Sequence, residues 1–424
     1  MAVAHQRPAP PGYGKLPLIT VAFVMGLTTL ASNAPSPLYV VYQQRYHFSA
    51  LVLTAVFAAY AVGVMVALVG VGRLSDAIGR RKVLGPGLVL LGCSAALFMA
   101  ARGTGWLLAA RGVQGVATGA ITSAATAALV ELEPNGDRQR ASYLNTVVFL
   151  MGAATGPLAF GVCAQYLPWP TVLPFAAEAA LVAVAVVGVS RLPETAPARA
   201  EVGWRFQRPS VPRAVLAPFV LAVLALAVCW GVGALFAALS ASIDEDLLHI
   251  RNHALVGGLL FCFYGVGGLS QRLLRRRTAR WAVMAGLATV AAGMSLLYLG
   301  LLAASVPAAL GGGLLVGAGS GCGFMGSLAL ANAVAPPQRR AELISAWNMV
   351  GYFALSAPVV GVGLLAGVIG LRNATGIFAA AVVAMAVATI AAVRAAPHQP
   401  LARLSAAQLT ELGLEAPVVA SGTV

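Results

Sequence analysis

Charge is what this sequence has least of. Only 9% of its 424 residues are Asp, Glu, Lys or Arg, where a soluble chain of this size carries about a quarter. Lysine is nearly absent: of the 27 basic residues only Lys15 and Lys82 are not arginine. A surface that cannot be covered with charge has to meet lipid, and the mean hydropathy of +0.86 agrees. Segments of alternating polarity are lacking as well, which excludes a membrane β-barrel. The five cysteines (Cys93, Cys163, Cys229, Cys262 and Cys322) fall in apolar runs without any CxxC spacing, so neither a disulfide framework nor a metal site is expected. No phosphate-binding glycine loop occurs, which argues against a pump driven by ATP, and no H-E-x-x-H or convergent nucleophile and base suggests an enzyme. No cofactor is expected. A cleavable leader is not expected either, because the first apolar run, from Lys15 to about residue 40, exceeds the 7–15 residues of a leader core.

What is present is a series of apolar runs, two of which (215–243 and 281–304) carry no charge at all. About 20 helical residues cross a hydrocarbon core of roughly 30 Å. The runs divide into twelve expected spans: 17–40, 50–72, 83–101, 105–130, 140–165 and 171–190, then 215–240, 252–271, 281–303, 307–333, 341–369 and 373–394. The fold class expected is an all-α membrane protein of twelve helices in two six-helix bundles. The bundles are placed at 1–190 and 214–395, joined by a basic, proline-containing linker at 191–213, with a tail at 396–424.

The net charge of +14 does not mark a nucleic-acid binder, since the arginines sit in short clusters between apolar runs rather than along one face with aromatics. They set topology. With both termini in the cytoplasm, 22 of the 27 basic residues lie on the cytoplasmic side, four outside (Arg45, Arg102, Arg251, Arg372) and Arg111 within a span. A bacterial inner membrane is the expected location.

An internal repeat is legible. Residues 70–82 read GVGRLSDAIGRRK and residues 265–277 read GVGGLSQRLLRRR, seven identities in thirteen at an offset of 195. Gly115, Gly119 and Pro134 recur as Gly317, Gly321 and Pro336 at an offset of 202. Repeats of six spans place a substrate site at the interface of the halves.

The segment Gly72-Arg-Leu-Ser-Asp76-Ala-Ile-Gly79-Arg80-Arg81-Lys82 resembles the signature loop of the major facilitator superfamily, G-x-L-x-D-x-x-G-R-[RK]-x, and the resemblance extends over nearly the whole chain. Gly79 suits a tight turn, and Asp76 a position against the positive N-terminus of another helix. The resemblance implies that Asp76 latches against the start of span eleven near Ala341, with Arg80 and Arg81 mainly holding topology. The C-terminal copy has Gln271 and Leu274 at the Asp76 and Gly79 positions, so the charged latch belongs to the first half.

Arg111-Gly-Val-Gln114-Gly115 is similar to the R-x-x-Q-G motif of proton-coupled members of that family. An arginine inside a span is costly and tends to be functional, and Gln114 shares its face; snorkelling to the interface is the alternative. Gly152-Ala-Ala-Thr-Gly156-Pro157 resembles the antiporter motif of drug exporters, though Tyr143 stands where that motif begins with glycine; close packing alone is the competing reading. Asn33, Asn145 and Asn348 are polar groups at membrane depth, and Trp230 and Tyr352 are candidate cavity walls. Glu178 is the one clear acid within a span, while Asp244, Glu245 and Asp246 read as a solvated outer loop. The resemblance implies a secondary transporter of small organic molecules, acting as a monomer and exporting in exchange for protons through Arg111 and Glu178. A sugar or organic-acid symporter or uniporter is the rival within transporters, and a membrane sensor or scaffold the rival outside them.

Overall fold

The computed structural model describes residues 15–71, 74–195, 211–250, 252–335 and 339–396, and only the backbone of residues 76, 138, 139, 214 and 341. Everything described in regular form is helix. In order these are α1 (Lys15–Asn33), α2 (Tyr39–Tyr46), α3 (Ala50–Val71), α4 (Leu74–Ile78), α5 (Arg81–Met99), α6 (Thr104–Glu131), α7 (Arg138–Tyr166), α8 (Leu173–Ser190), α9 (Arg213–Asp246), α10 (His253–Leu274), α11 (Ala279–Leu302), α12 (Val306–Val334), α13 (Arg340–Ile369) and α14 (Leu371–Ala395). Among the described residues, twelve stretches are long and apolar enough to cross a bilayer, with α1 and α2 together forming the first. Helix is the form that lipid imposes, because a spanning segment must satisfy its own backbone groups. The first span breaks where Pro35 and Pro37 remove amide donors, and a short 3-10 turn, Ser36–Leu38, joins α1 to α2. Asn252 and Thr278 cap α10 and α11 by accepting from the amides of Leu255 and Trp281.

In the first half α3 packs on α6, α1 on α7 and α5 on α8; in the second α10 and α9 pack on α12, and α11 on both α12 and α14. The halves meet where α7 lies along α10 and α3 along α13. Small residues set these approaches. A Cβ on Gly115 would run into the Tyr60 carbonyl, and a Cβ on Gly317 into the Phe263 carbonyl; Gly119 faces Val64 as Gly321 faces Gly267.

Those paired contacts fix the register of the repeat. Tyr60 to Phe263 and Val64 to Gly267 are each 203 apart, and the bounds of α3 (50, 71) and α10 (253, 274) differ by the same 203. The fourth-to-tenth-span echo at 202 agrees. The echo at 195 does not: residues 265–274 are the last turns of α10, whereas 74–82 form the short helix α4, a turn and the start of α5. Helix ends rich in glycine and arginine match one another out of register by about two turns, 203 − 195 = 8 residues.

The acids at 244–246 are a second correction. They are the last turn of α9, not a loop, and Asp244 is only 6% exposed. The helix runs on past the apolar stretch, and its inward face carries Asp244 beneath the surface.

Candidate functional site

Arg111 sits two turns into α6 with no exposed surface at all, so it does not snorkel. Its Nη1 donates to the Ser32 carbonyl at 2.9 Å and to Gln114 Oε1 at 2.5 Å, and Gln114 Nε2 donates to the Ala31 carbonyl at 3.0 Å. These carbonyls are available because Pro35 ends the regular α1 hydrogen bonding just beyond them. Around the guanidinium stand three ring faces, Tyr60 at 4.8 Å, Phe57 at 5.6 Å and Tyr39 at 5.8 Å. Ring faces and carbonyl dipoles attract a cation without neutralising it. Arg111 Nε has no hydrogen-bond partner, and among the described residues no carboxylate forms an ion pair with it.

Glu178, on α8, is 1% exposed, and neither carboxyl oxygen has a hydrogen-bond partner. One turn before it, Phe175 stacks on Phe98 at 4.6 Å and meets Phe160 edge-on at 5.1 Å, a wall that keeps water away. Arg111 is within electrostatic range of Glu178 but does not touch it. A buried cation and a buried acid, each short of partners, face a shared core. That is an arrangement able to hold and release one proton.

Of the other polar candidates, Asn33 is the one seen in a bond between the halves. Asn33 donates to the Thr29 carbonyl and accepts from the Tyr264 hydroxyl at 2.9 Å, a bond that crosses from one half to the other. Trp230 meets Tyr352 edge-on at 5.0 Å and lies against Phe324 at 6.2 Å and Trp347 at 6.3 Å, giving the second half an aromatic wall. Asn348 donates to the Ile344 carbonyl, and Asn145 accepts a long bond of 3.5 Å from Thr126; both are part-exposed.

Gly152 and Gly156 press α7 onto α1 at the Gly26 and Leu30 carbonyls, and the Pro157 carbonyl receives Gly257 of α10. The antiporter-like segment is thus a packing seam between three spans, in contact with both halves.

In the loop after α3, Gly72 lies outside the described residues, as do the side chain of Asp76 and that of Ala341, beside which its partner was expected. Gly79 has a positive φ of 110°. Arg80 is not a solvated topology charge: it is 9% exposed, its Nη2 lies 2.8 Å from Glu131 Oε1, and its Nη1 donates to Ser75. Glu194 accepts from the amides of Arg80 and Arg81 at the start of α5, and Thr195 donates to Glu131. Arg81 itself is exposed. Glu131, Glu194 and the tyrosines 39, 60 and 264 are absent from any sequence-based site. Their partners are remote in sequence, and the one available signal was an acid recurring at the end of spans four and six. Among the described residues no group of three or more His, Cys, Asp or Glu could hold a metal.

A sequence profile of the family described as Major Facilitator Superfamily matches residues 21–357. A puromycin resistance protein of Streptomyces alboniger is 39% identical over 124 residues, 29% of this chain and 24% of its own length. A cephamycin export protein of Amycolatopsis lactamdurans is 34% identical over 103 residues, 24% of this chain and 21% of its own. The matched stretches thus span about a quarter or less of these relatives. Among solved structures, a bacterial homologue of the human lysosomal transporter Spinster, inward-facing and occupied, superposes with a TM-score of 0.74 at 13% identity, covering 90% of this chain and 98% of that one. A peptide transporter does so with 0.73 at 14%, covering 91% and 96%.

Proposed function

Because the chain belongs to the major facilitator superfamily, and is therefore a multi-pass membrane transporter, we propose that it exports a small organic molecule in exchange for protons, by alternating access to the space between its two bundles. The observation that carries this reading is the pair of buried ionisable groups, Arg111 and Glu178, neither of which has an ion-pair partner among the described residues. A proton at a Glu178 oxygen keeps that group neutral among Phe98, Phe160 and Phe175. A rearrangement that brings guanidinium and carboxylate together favours the ion pair and expels the proton. Substrate binding against Asn33, Tyr264 and Trp230, which belong to both halves, is what drives that rearrangement. The export direction is supported by the two export and resistance proteins among the relatives, and the aromatic wall suits a partly apolar cargo. Cells expressing the chain should accumulate less of at least one compound in a panel of antibiotics, cationic dyes and metabolites than cells expressing Arg111→Ala. Equal accumulation across the panel would remove export from the reading.

The distribution of basic residues supports a topology with the end carrying α4 and the linker in the cytoplasm, in a bacterial inner membrane. In a background without the five cysteines, an impermeant thiol reagent added outside should label a cysteine at Asp246 and not one at Arg205. The reverse pattern would invert the topology and the direction of transport with it.

A further inference from the structure

The two halves treat their basic turns differently. In the first, Arg80 is held between Glu131 and Ser75, and Glu194 accepts from the amides of Arg80 and Arg81, so the chain supplies its own anions. In the second, α10 passes to α11 through Arg275, Arg276, Arg277 and Thr278 with no short helix between. Where α6 ends on Glu131, α12 ends on Val334. Arg280 donates to the carbonyls of Val393 and Ala396, and Arg272 to the Tyr143 hydroxyl. Arg275, Arg276 and Arg277 are exposed, and among the described residues no acid forms an ion pair with any of them. Three guanidiniums at consecutive positions repel one another, and an anion from outside the chain offsets that repulsion.

The turn lies at headgroup level. With 22 residues α10 is about 33 Å long at 1.5 Å per residue, so its end reaches the boundary of the hydrocarbon core. Two of its faces are packed: Gly257 and Gly268 meet α7, and Gly267 and Ser270 meet α12. Leu255, Leu269 and Leu273 fall on a third face and are 48%, 52% and 69% exposed. Leu255 and Leu273 are each nine residues, about two and a half turns, from Tyr264, which reaches Asn33 between the bundles. They therefore stand on the opposite side of the helix from that space, toward lipid. Trp281 is exposed beside the turn, with the Arg277 guanidinium 5.1 Å from its ring centroid, an amphipathic ring where such rings sit in membranes. A soluble anion would satisfy the guanidiniums alone; an anion carried on an acyl chain also covers the leucines. We propose that Arg275, Arg276 and Arg277 seat the phosphate of an anionic phospholipid whose acyl chain lies along Leu273 and Leu269. The site is separate from the Arg111 and Glu178 pair and holds whether or not transport is coupled to protons.

The test is quenching of Trp281 by lipid brominated high on its acyl chains, in nanodiscs holding the full-length protein, with the Trp281→Phe variant subtracted to isolate that ring. Brominated phosphatidylglycerol is titrated against phosphatidylcholine, and brominated phosphatidylcholine against phosphatidylglycerol. Quenching should saturate at a mole fraction on the order of tenfold lower for the anionic lipid. That preference should fall about twofold in Arg276→Gln and vanish in the variant carrying Arg275→Gln, Arg276→Gln and Arg277→Gln. A dispersed control, Lys15→Gln with Arg191→Gln and Arg394→Gln, removes the same charge from exposed residues on the same side of the molecule and should keep the preference. Each variant is first shown to be monodisperse on gel filtration, and Arg276→Gln alone decides if the triple variant does not fold. Equal quenching by the two lipids, an unchanged preference in the arginine variants, or its loss in the control would each overturn the proposal. So would release of the lipid by millimolar inorganic phosphate, which would make the ligand a soluble anion.

Discussion

Arg111→Ala should lower transport on the order of a hundredfold, equivalent to about 2.7 kcal/mol, while leaving expression and gel-filtration behaviour near wild type. The side chain holds the Ser32 carbonyl and Gln114 together across α1 and α6, and three aromatic rings are arranged around its charge. Removing it takes away the cation that Glu178 must respond to and leaves Gln114 Oε1 without its donor. Arg111→Lys keeps the charge but loses the planar fork, and a single ammonium on a shorter reach cannot serve the same acceptors with the same geometry. An intermediate rate, lowered about tenfold, is expected for it. Glu178→Gln should transport cargo at a rate that no longer responds to pH, because the amide accepts no proton in the neutral range. Rates measured in the same vesicles at matched protein content decide the matter. Wild-type turnover in Arg111→Ala would reduce the buried arginine to a packing element.

The second large effect is on the fold. Gly115→Val should give little or no folded protein, because its Cβ overlaps the Tyr60 carbonyl and lies 3.0 Å from the Gly63 Cα, backbone that cannot swing aside. Overpacking in a core costs about 1–3 kcal/mol where side chains can yield, and more where main chain is the obstacle. Gly112, one turn earlier on α6, faces open space, so Gly112→Ala should be neutral or stabilise by up to about 1 kcal/mol through helix propensity. Thermal unfolding followed by gel filtration separates the two. Equal midpoints for Gly115→Val and wild type would mean that the α3 to α6 contact is not the tight seam described.

These residues also show how far the chain could be read before its structure. Length and hydropathy were enough for twelve spans, since a helix in lipid needs little beyond its own sequence, whereas the break at Pro35 and Pro37 in the first span was not expected from it. The pairing of Arg111 with Gln114 followed from helical spacing alone. The rings of Tyr39, Phe57 and Tyr60 did not, because they come from two other helices and share no spacing with α6. Arg80 resembled a topology charge for the same reason: Glu131 and Glu194 lie 51 and 114 residues away. Asp244 was misread because three acids in a row imitate a loop, and whether the last turn of a helix is buried depends on what packs beside it. The register of the repeat was blurred wherever glycine and arginine recur at helix ends.

Proton coupling is the central claim, and purified protein reconstituted into proteoliposomes tests it most directly. With a cargo identified from the accumulation panel, its movement is followed after a pH gradient is imposed in either direction, with the membrane potential clamped. Cargo should move against the proton flow, driven above its own equilibrium by the gradient in wild type and not in Glu178→Gln or Arg111→Ala. Wild-type transport that equilibrates cargo at the same rate and to the same level with and without the gradient would contradict the account.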